Sequence, residues 1–185
     1  MGKFFTAGGD DGYTGILGEG RQPKYAPLIE AYGQVDEASS ALGLARALSG
    51  IENHRHVVRA VQQDLQHLMA ELAAAPEHAA RFRRVDAGRV QWLEARLEEL
   101  GQGVEMPAEF ILPGDTPAAA AFDLARTVVR RAERRVAQLV HQGLVQNNQL
   151  LVYLNRLSSL CFLLELREIQ AQGGGGPTLA LGEAE

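Results

Sequence analysis

The chain has 185 residues, of which 46% are hydrophobic and 22% charged, and its formal net charge is −5 at pH 7. These values are typical of one globular domain that is large enough to bury a core. The sequence pI of about 5.6 argues against general nucleic-acid binding, and the single cysteine, Cys161, excludes an internal disulfide framework.

The sequence predicts a cytoplasmic protein. Its uninterrupted apolar segments are shorter than the roughly 18 residues of a membrane span, so we expect no membrane association. The start, Met1-Gly2-Lys3-Phe4-Phe5, lacks the apolar region and the cleavage site of a signal peptide. One cysteine also fits a reducing compartment.

Residues 1–24 contain seven glycines and are predicted to form a loop, because glycine weakens helices. This loop also offers Thr6, Thr14, Arg21 and Lys24. Glycine lets the backbone approach phosphate oxygens, and a lysine supplies a point charge. The loop is not a Walker A sequence, because Gly-Lys-Ser/Thr is missing. A flexible arm is the alternative interpretation.

Five helices are predicted after the loop, because apolar residues recur at spacings of three and four. They cover residues 28–48, 54–74, 86–100, 116–141 and 147–171. Thr116 is predicted to cap the fourth helix, with Pro117 at its first position. No segment shows convincing period-two alternation, so the chain is predicted to be an all-α bundle. The predicted organisation is a loop (1–24), a bundle (25–171) and a disordered tail (172–185) that begins near the Gly173–Pro177 run.

The fourth predicted helix has five arginines between Arg126 and Arg135, within a chain of negative net charge. Such an excess indicates either an anionic partner or a dense ion-pair network. Arg126, Arg130 and Glu133 fall along one border of the apolar face, where partial desolvation would strengthen their action on an anion. The residues alone leave both alternatives open.

Two polar residues lie in apolar or small-residue surroundings. Asp36 is the one charge on a stripe of small residues in the first helix, so it is either an ordinary solvated carboxylate or the partner of a cation. Asn155 lies in a helix that is apolar almost all round, so it is either a satisfied core amide or a ligand contact.

No metal site is predicted from side chains. His54 and His56 point apart at the start of a helix, and Arg55 between them would repel a cation, so we expect surface histidines. Cys161 lies in the apolar fifth helix and is expected to be a core residue and not a nucleophile.

In their order along the chain, several of these segments resemble those of the PduO-type ATP:corrinoid adenosyltransferases, also called cob(I)alamin adenosyltransferases. The resemblance covers nearly the whole chain up to about residue 170. The matching stretches are Gly9-Asp10-Asp11-Gly12-Tyr13-Thr14-Gly15, Arg21-Gln22-Pro23-Lys24, Glu30-Ala31-Tyr32-Gly33-Gln34-Val35-Asp36-Glu37, Phe110-Ile111-Leu112-Pro113-Gly114, Ala125 through Arg135, and Tyr153-Leu154-Asn155-Arg156-Leu157-Ser158.

The resemblance implies a five-helix bundle that assembles as a homotrimer, with active sites between adjacent subunits. It implies that the 5′-deoxyadenosyl group of ATP is transferred to the cobalt of reduced cobalamin, with release of triphosphate and with Mg²⁺ accompanying the phosphates. A corrinoid reductase and a B12-dependent client enzyme are possible protein partners. Cobalt(I) is itself the nucleophile in such a reaction, so no catalytic Ser, Cys or His is required.

The resemblance also implies roles for individual residues. The ATP site would comprise Thr6, Gly9, Asp10, Gly12, Thr14, Lys24, Arg130, Glu133 and Asn155. Phe110 would lie beneath the corrin and exclude its lower axial ligand, and Phe110 and Arg130 would be the catalytic residues. Asp36 and Arg126 would pair across the subunit interface.

The sequence departs from the family pattern in several places. Gly8 replaces a threonine of the loop, Ala38 a leucine, Ser159 an acidic residue and Leu166 an arginine, with Arg167 displaced by one position. These departures support an alternative function, a catalytically weak carrier or sensor of adenosylcobalamin with the same fold.

Overall fold

The computed structural model describes residues 4–173 and 176–181, and within them the chain is mostly helical. The five long helices lie within a few residues of their predicted positions. The elements in chain order are β1 (Tyr13–Gly15), β2 (Arg21–Pro23), α1 (Pro27–Leu48), α2 (Glu52–Leu72), α3 (Ala79–Phe82), α4 (Ala87–Gly101), α5 (Pro117–His141) and α6 (Gln149–Gln170).

Local signals set the start of two helices. The Thr116 hydroxyl accepts a hydrogen bond from the Ala119 amide at 3.0 Å, and Pro117 follows as the first residue of α5, as predicted. The Asp86 carboxylate accepts from the Arg89 amide at 3.0 Å at the start of α4. Each cap satisfies a backbone donor that the helix itself leaves unpaired.

Helix α5 lies at the centre of the bundle, between α1 and α6, while α2 packs on α1 and α4 packs on α6. Small residues allow α1 and α5 to approach closely, since Ala38 and Ala45 of α1 and Ala125 and Ala132 of α5 are all fully buried. The tightly packed α5 is therefore a rigid support for the arginines that project from its sides.

Helix α6 is apolar and long enough, by composition alone, to cross a membrane, with a mean hydropathy of 1.2. However, 61% of that window is buried inside the bundle. Leu154, Leu157 and Leu164 are fully buried against the neighbouring helices. This burial is typical of a core helix, which passes the same test of composition.

Buried polar groups join the helices. The Asp64 carboxylate of α2 accepts from Arg89 of α4 at 2.6 Å and from the Tyr153 hydroxyl of α6 at 2.6 Å. The prediction that His54 lies on the surface is wrong: its Nδ1 lies 2.8 Å from the Glu168 carboxylate and both side chains are buried. A polar partner 114 residues away made burial of this histidine favourable.

The N-terminal segment, predicted as a loop, contains the antiparallel hairpin β1–β2, in which Thr14 pairs with Gln22. Strands of three residues are too short to show alternation, which is why the sequence did not reveal them. The hairpin is anchored to the bundle through Leu17, whose amide donates to Ala73 O at 2.8 Å and whose carbonyl accepts from the Ala75 amide at 2.9 Å.

The C-terminal tail differs from the predicted disorder over residues 176–181. Leu179 forms an antiparallel bridge with Ile111, and Thr178 bonds the Asp115 carboxylate. The partners of this segment lie more than 60 residues earlier, so the glycine run gave no sign of them. The disorder predicted for residues 174–175 and 182–185 lies outside the described residues.

Candidate ligand site

We call residues 6–24, which contain β1 and β2, the glycine-rich hairpin. Two basic side chains, Arg21 and Lys24, hold this segment together by hydrogen bonds. Lys24 Nζ donates to Gly9 O at 2.7 Å. The Arg21 guanidinium bonds both oxygens of Asp11, at 2.7 and 2.9 Å, and the Tyr13 carbonyl at 3.2 Å. This hydrogen bond with Arg21, followed by one from the Tyr13 amide, lowers the pKa of Asp11.

Glycine is required at two points of this hairpin. Gly12 has a φ of +81°, which an L side chain rarely adopts. A Cβ on Gly9 would lie 2.9 Å from Lys24 Nζ and would push the ammonium away from the Gly9 carbonyl. The remaining predicted loop residues, Thr6 and Asp10, are exposed beside this turn.

The hairpin opens onto a first cleft of about 430 Å³, which we call the hairpin cleft. Thr14 and Lys24 line it from the hairpin, Tyr32 and Glu37 from α1, and Arg131 from α5. Glu37 and Arg131 form an ion pair across α1 and α5. The predicted anion-binding loop thus meets the arginine-rich helix at Arg131, a residue to which the resemblance gives no role.

A second, longer groove lies on another side of α5, which we call the Arg126 groove. It consists of a cleft of about 420 Å³ that contains Arg126, Arg130, Ser159 and Phe162. A neighbouring cleft of about 450 Å³ adds Phe110 and again includes Arg126 and Phe162. Because the two clefts share Arg126 and Phe162, we treat them as one groove, with Arg126 and Arg130 in the first cleft and the carboxylates Glu109 and Asp123 beside Arg126 in the second.

Phe110 is 87% exposed although it is a large apolar side chain. It belongs to the connector between α4 and α5 and lines the groove together with Asp123 and Arg126. Burial of an exposed aromatic ring by a ligand is favourable, so this placement suits a flat apolar partner.

Arg126 bonds the Asp123 carboxylate through two nitrogens, at 2.6 and 2.8 Å. Asp36, its predicted partner, is exposed on α1. The structure therefore gives Arg126 a partner within its own chain, whereas the predicted pairing with Asp36 concerns two chains. The sequence analysis missed Asp123, although its spacing of three residues from Arg126 is that of a helical ion pair.

Glu165 lies behind the groove on α6, fully buried, with no hydrogen bond to either carboxylate oxygen from the described residues. The pKa of Glu165 is raised to about 7, mainly by burial and then by the nearby Asp123, while Arg126 opposes the change. A carboxyl group inside an otherwise apolar helix face contradicts the apolar pattern of α6, and the sequence analysis overlooked it.

Two of the predicted ATP-site residues, Glu133 and Asn155, are in contact, because Asn155 Nδ2 donates to Glu133 Oε1 at 2.8 Å. Asn155 Oδ1 accepts from Arg156 at 2.7 Å, and Arg156 bonds Glu94 of α4 at 2.8 Å. Arg130 forms no hydrogen bond or ion pair with any described residue and is exposed. It is thus a cation held at the edge of the groove and available to an anionic ligand.

The structure does not bring all predicted site residues into one cleft. Thr14 and Lys24 line the hairpin cleft, whereas Arg126, Arg130 and Phe110 line the Arg126 groove. Neither cleft contains residues of both sets. Within the described part of the chain there is also no group of three or more His, Cys, Asp or Glu residues that could hold a metal ion.

Comparison with known proteins assigns the family. The family model for cobalamin adenosyltransferase matches residues 4–168. Corrinoid adenosyltransferase PduO from Salmonella typhimurium is 38% identical over 165 residues, which cover 89% of this chain and 49% of that protein. The corrinoid adenosyltransferase of Bacillus subtilis is 35% identical over 178 residues, which cover 94% of this chain and 90% of that protein. The chain therefore spans about half of the PduO relative and nearly all of the Bacillus one.

Solved structures agree with this match. A variant of the PduO-type ATP:corrinoid adenosyltransferase from Lactobacillus reuteri, with a phenylalanine replaced by alanine and complexed with cobalamin and ATP, superposes with a TM-score of 0.87. It is 31% identical in sequence, and the match covers 97% of this chain and 100% of that chain. With two thirds or more of the chain matched in each comparison, the protein belongs to the cobalamin adenosyltransferase family.

Proposed function

We propose that this protein transfers the 5′-deoxyadenosyl group of ATP to the cobalt of reduced cobalamin, giving adenosylcobalamin and triphosphate. The observation that carries the proposal is the Arg126 groove: Arg130, which pairs with no described residue, and the exposed ring of Phe110 line two adjoining clefts that share Arg126 and Phe162. A nucleotide anion and a flat macrocycle are the two kinds of ligand that such a surface suits. Family membership supports the same activity.

The proposed reaction requires little chemistry from side chains. The electron pair of cobalt(I) forms the bond to C5′ of ATP, and the C5′–O bond breaks so that its electron pair leaves with the triphosphate. The chain must therefore align the reactants and stabilise the departing anion. Arg130 is suited to that second task because no described residue neutralises its charge.

We assign the ATP site to residues of two subunits. Thr6, Gly9, Asp10, Gly12, Thr14 and Lys24 would come from one chain, and Arg130, Glu133 and Asn155 from its neighbour. Thr14 and Lys24 line the hairpin cleft and Arg130 lines the Arg126 groove, and this separation supports the assignment because a site that includes all three would require a second chain. Mg²⁺ would be carried by the phosphates, since the described residues offer no carboxylate cluster for it.

The proposed assembly is a homotrimer. Helix α1 presents an exposed strip that includes Asp36 and Ser40, and two leucines of the same helix, Leu44 and Leu48, are 49% and 47% exposed. Exposed apolar residues beside a small-residue stripe suit contact with another copy. Asp36 of one subunit would then pair with Arg126 of the next, adding a second carboxylate to the one that Asp123 supplies.

We propose that Phe110 lies beneath the corrin. An apolar ring at the lower face of cobalt would disfavour an axial ligand there, and loss of that ligand makes reduction of cobalt(II) to cobalt(I) easier. Two solved relatives complexed with cobalamin and ATP are variants in which a phenylalanine is replaced, by alanine in one and by histidine in the other. A corrinoid reductase and a B12-dependent client enzyme in the cytoplasm remain the proposed partners.

A carrier or sensor of adenosylcobalamin is the second candidate. Ser159 lines the Arg126 groove where the family has an acidic residue. Leu166, where the family has an arginine, is buried, and the displaced Arg167 lines a different cleft near His54 and Leu100, so it lies outside the Arg126 groove. Weakened contacts to ATP or corrinoid would slow turnover before they abolished binding.

An anaerobic assay with chemically reduced cob(I)alamin, ATP and Mg²⁺ tests the proposal. We expect loss of cob(I)alamin absorbance and formation of light-sensitive adenosylcobalamin. Arg130→Ala should lower kcat by about 100-fold or more, as is usual when one stabilising donor of a transition state is removed. Arg134→Ala is the matched control, since this exposed arginine lies one turn further along α5 and outside the groove. Cobalamin binding without conversion would support the carrier instead.

A further inference from the structure

The C-terminal segment pairs with the loop that carries Phe110. We call residues 176–181 the C-terminal strap. Ala180 N donates to Phe110 O at 2.7 Å, and Leu112 N donates to Thr178 O at 2.8 Å. These two bonds enclose the antiparallel bridge between Ile111 and Leu179. The strap therefore grips the backbone on both sides of the residue that follows Phe110.

A side chain fixes the strap to the rigid part of the bundle. The Thr178 hydroxyl donates to Asp115 Oδ1 at 2.6 Å, and the Thr178 amide donates to Asp115 Oδ2 at 3.1 Å. Asp115 immediately precedes Thr116, whose side chain caps α5. The strap thus ties the Phe110 loop to the start of the central helix, the same helix that carries Arg126 and Arg130.

The Phe110 loop has little else to hold it. Among the described residues, the two bonds to the strap are the only backbone hydrogen bonds made by residues 105–113, and no side chain in this range forms a hydrogen bond. Phe110 itself is exposed and has no core packing to fix its ring. A loop without internal hydrogen bonds samples many conformations unless other contacts restrict it.

We propose that the C-terminal strap positions Phe110 in the Arg126 groove, with Ala180 and Thr178 as positioning residues for the exclusion of the corrin's lower axial ligand. This inference rests on the proposed function, because it gives Phe110 a ligand to act on. The strap residues do not line the groove and act only through the backbone of the loop. Their effect should therefore fall on the state of the cobalt and not on ATP.

Two corrinoid substrates separate positioning from general stability. Cob(II)alamin, supplied with a reductant, must lose its lower ligand on the enzyme before it is reduced. Cob(I)alamin, reduced chemically beforehand, has already lost that ligand. A defect in placing Phe110 should slow turnover of the first substrate far more than turnover of the second.

Ala180→Pro is the direct variant, because proline has no N–H to donate to Phe110 O. We expect kcat/KM for cob(II)alamin to fall about tenfold or more, because a factor of this size corresponds to the free energy of one well-formed hydrogen bond. Turnover of cob(I)alamin and KM for ATP should change less than about threefold, since neither depends on the lower ligand. Leu181→Pro is the matched control, because the Leu181 amide makes no hydrogen bond with the described residues.

Thr178→Val and Thr178→Ser form a second pair. Valine keeps the shape of threonine without the hydroxyl that bonds Asp115, and serine keeps that hydroxyl. We expect Thr178→Val to reproduce the selective loss with cob(II)alamin and Thr178→Ser to restore most of it. The electron paramagnetic resonance spectrum of cob(II)alamin bound with ATP should show less of the ligand-free cobalt(II) species in Ala180→Pro and Thr178→Val.

Equal losses with both corrinoids, or a loss in the proline control as large as that in Ala180→Pro, would overturn the positioning role. Unchanged turnover of cob(II)alamin in both Ala180→Pro and Thr178→Val would overturn it as well. If the unmodified protein does not adenosylate cob(I)alamin at all, the proposed function fails, and the role of the strap fails with it. If the unmodified protein is active and the strap variants are unaffected, the proposed function holds and the positioning role of the strap is wrong.

Discussion

The glycine-rich hairpin and the Phe110 loop both border a cleft, but they are held in different ways. The hairpin is fixed mainly from within, because Lys24 bonds Gly9 at a separation of 15 residues and Arg21 bonds Asp11 at a separation of 10. The Phe110 loop is fixed from outside, by a strap whose Thr178 lies 63 residues from Asp115.

This difference matters for how each loop responds to change. Local contacts re-form quickly and independently of the chain ends, so the hairpin should tolerate changes at the C-terminus. The Phe110 loop depends on a segment that is distant in the sequence, and closing such a long connection costs more conformational entropy than closing a local one. We therefore expect variants of the hairpin to change the kinetic constants for ATP, and variants that affect the Phe110 loop to change those for the corrinoid.

The largest effect on the hairpin side should come from Lys24→Met, which keeps most of the apolar stem but removes the ammonium. The ammonium holds Gly9 O, and in the proposed site it also reaches the phosphates of ATP. We expect KM for ATP to rise by about 10- to 100-fold, the range for hydrogen bonds that involve a charged group. KM for cob(I)alamin should remain within about threefold, since Lys24 lies outside the Arg126 groove.

Glu19→Gln is the control for Lys24→Met, because Glu19 is exposed in the turn between β1 and β2 and bonds no described residue. Steady-state kinetics with each substrate varied in turn measures both constants. A rise in the corrinoid KM as large as that for ATP would contradict the separation of the two regions. It would show that the hairpin also shapes the groove.

The sequence predicted the parts of the molecule that local signals specify. Thr116 and Pro117 marked the start of α5 correctly because a cap and a first-turn proline act within a few residues. Glu133 and Asn155, which the resemblance places in one ATP site, are hydrogen-bonded to each other, and their role in that site stays a prediction. The helices, and the arginines along one of them, could thus be predicted from the sequence.

The sequence did not predict features that depend on distant partners. His54 was predicted to lie on the surface because no residue near it in the sequence indicates that Glu168 is its partner. The strap looked disordered because it follows the glycine run that begins at Gly173 and because its partners lie in the distant Phe110 loop. The proposed site between subunits also stays a prediction, because it depends on a second chain. Each of these depends on tertiary or quaternary contacts, which local propensity does not encode.

The titration of Glu165 should make the stability of the protein depend on pH. We expect this effect on the Phe110 side of the molecule and not in the glycine-rich hairpin. Burial, with Asp123 and Asp115 nearby, raises the pKa of Glu165 from 4.5 to about 7, while Arg126 lowers it. Between these two values the folded chain keeps the proton and the unfolded chain releases it. The free energy of unfolding therefore falls as pH rises through this window and levels off above pH 7.

Glu165→Gln should remove this loss of stability. We expect the variant to be more stable than the unmodified protein by about 1–3 kcal/mol at pH 8.5, where the buried carboxylate is otherwise charged. At pH 4.5 the two proteins should differ by less than about 1 kcal/mol, since the carboxyl group is then protonated when folded and about half protonated when unfolded. Urea unfolding followed by circular dichroism at both pH values gives the difference directly.

Ser158→Ala, a change on the same helix that introduces no change in charge, is the control for Glu165→Gln. Ser158 donates only to the carbonyl of Asn155 in the preceding turn. Its effect on stability should be the same at both pH values. A Glu165→Gln effect that is equally large at pH 4.5 would mean that shape and not charge decides the stability of this position.

The smallest expected effect is at Asp11, in the hairpin. Its pKa is lowered because Arg21 hydrogen-bonds its charged form. A lowered pKa means that the ion pair is fully present above the ordinary value of 3.8 and is lost only as pH falls through the still lower folded value. The hairpin should therefore be insensitive to pH between about 5 and 8, the range in which Glu165 changes its charge.

Asp11→Asn tests this contrast, because asparagine can still accept from the Tyr13 amide but has lost the charge that holds Arg21. The pair is exposed to solvent, so its loss should raise KM for ATP by only about two- to fivefold. That ratio of variant to unmodified protein should be constant from pH 5.5 to 8, whereas corrinoid turnover of the unmodified protein should change in the same range as Glu165 ionises beside Arg126. If the ATP ratio changed with pH and corrinoid turnover did not, the assignment of pH sensitivity to the two regions would be reversed. That result would mean that the group that titrates in this pH range lies in the hairpin and not behind the groove.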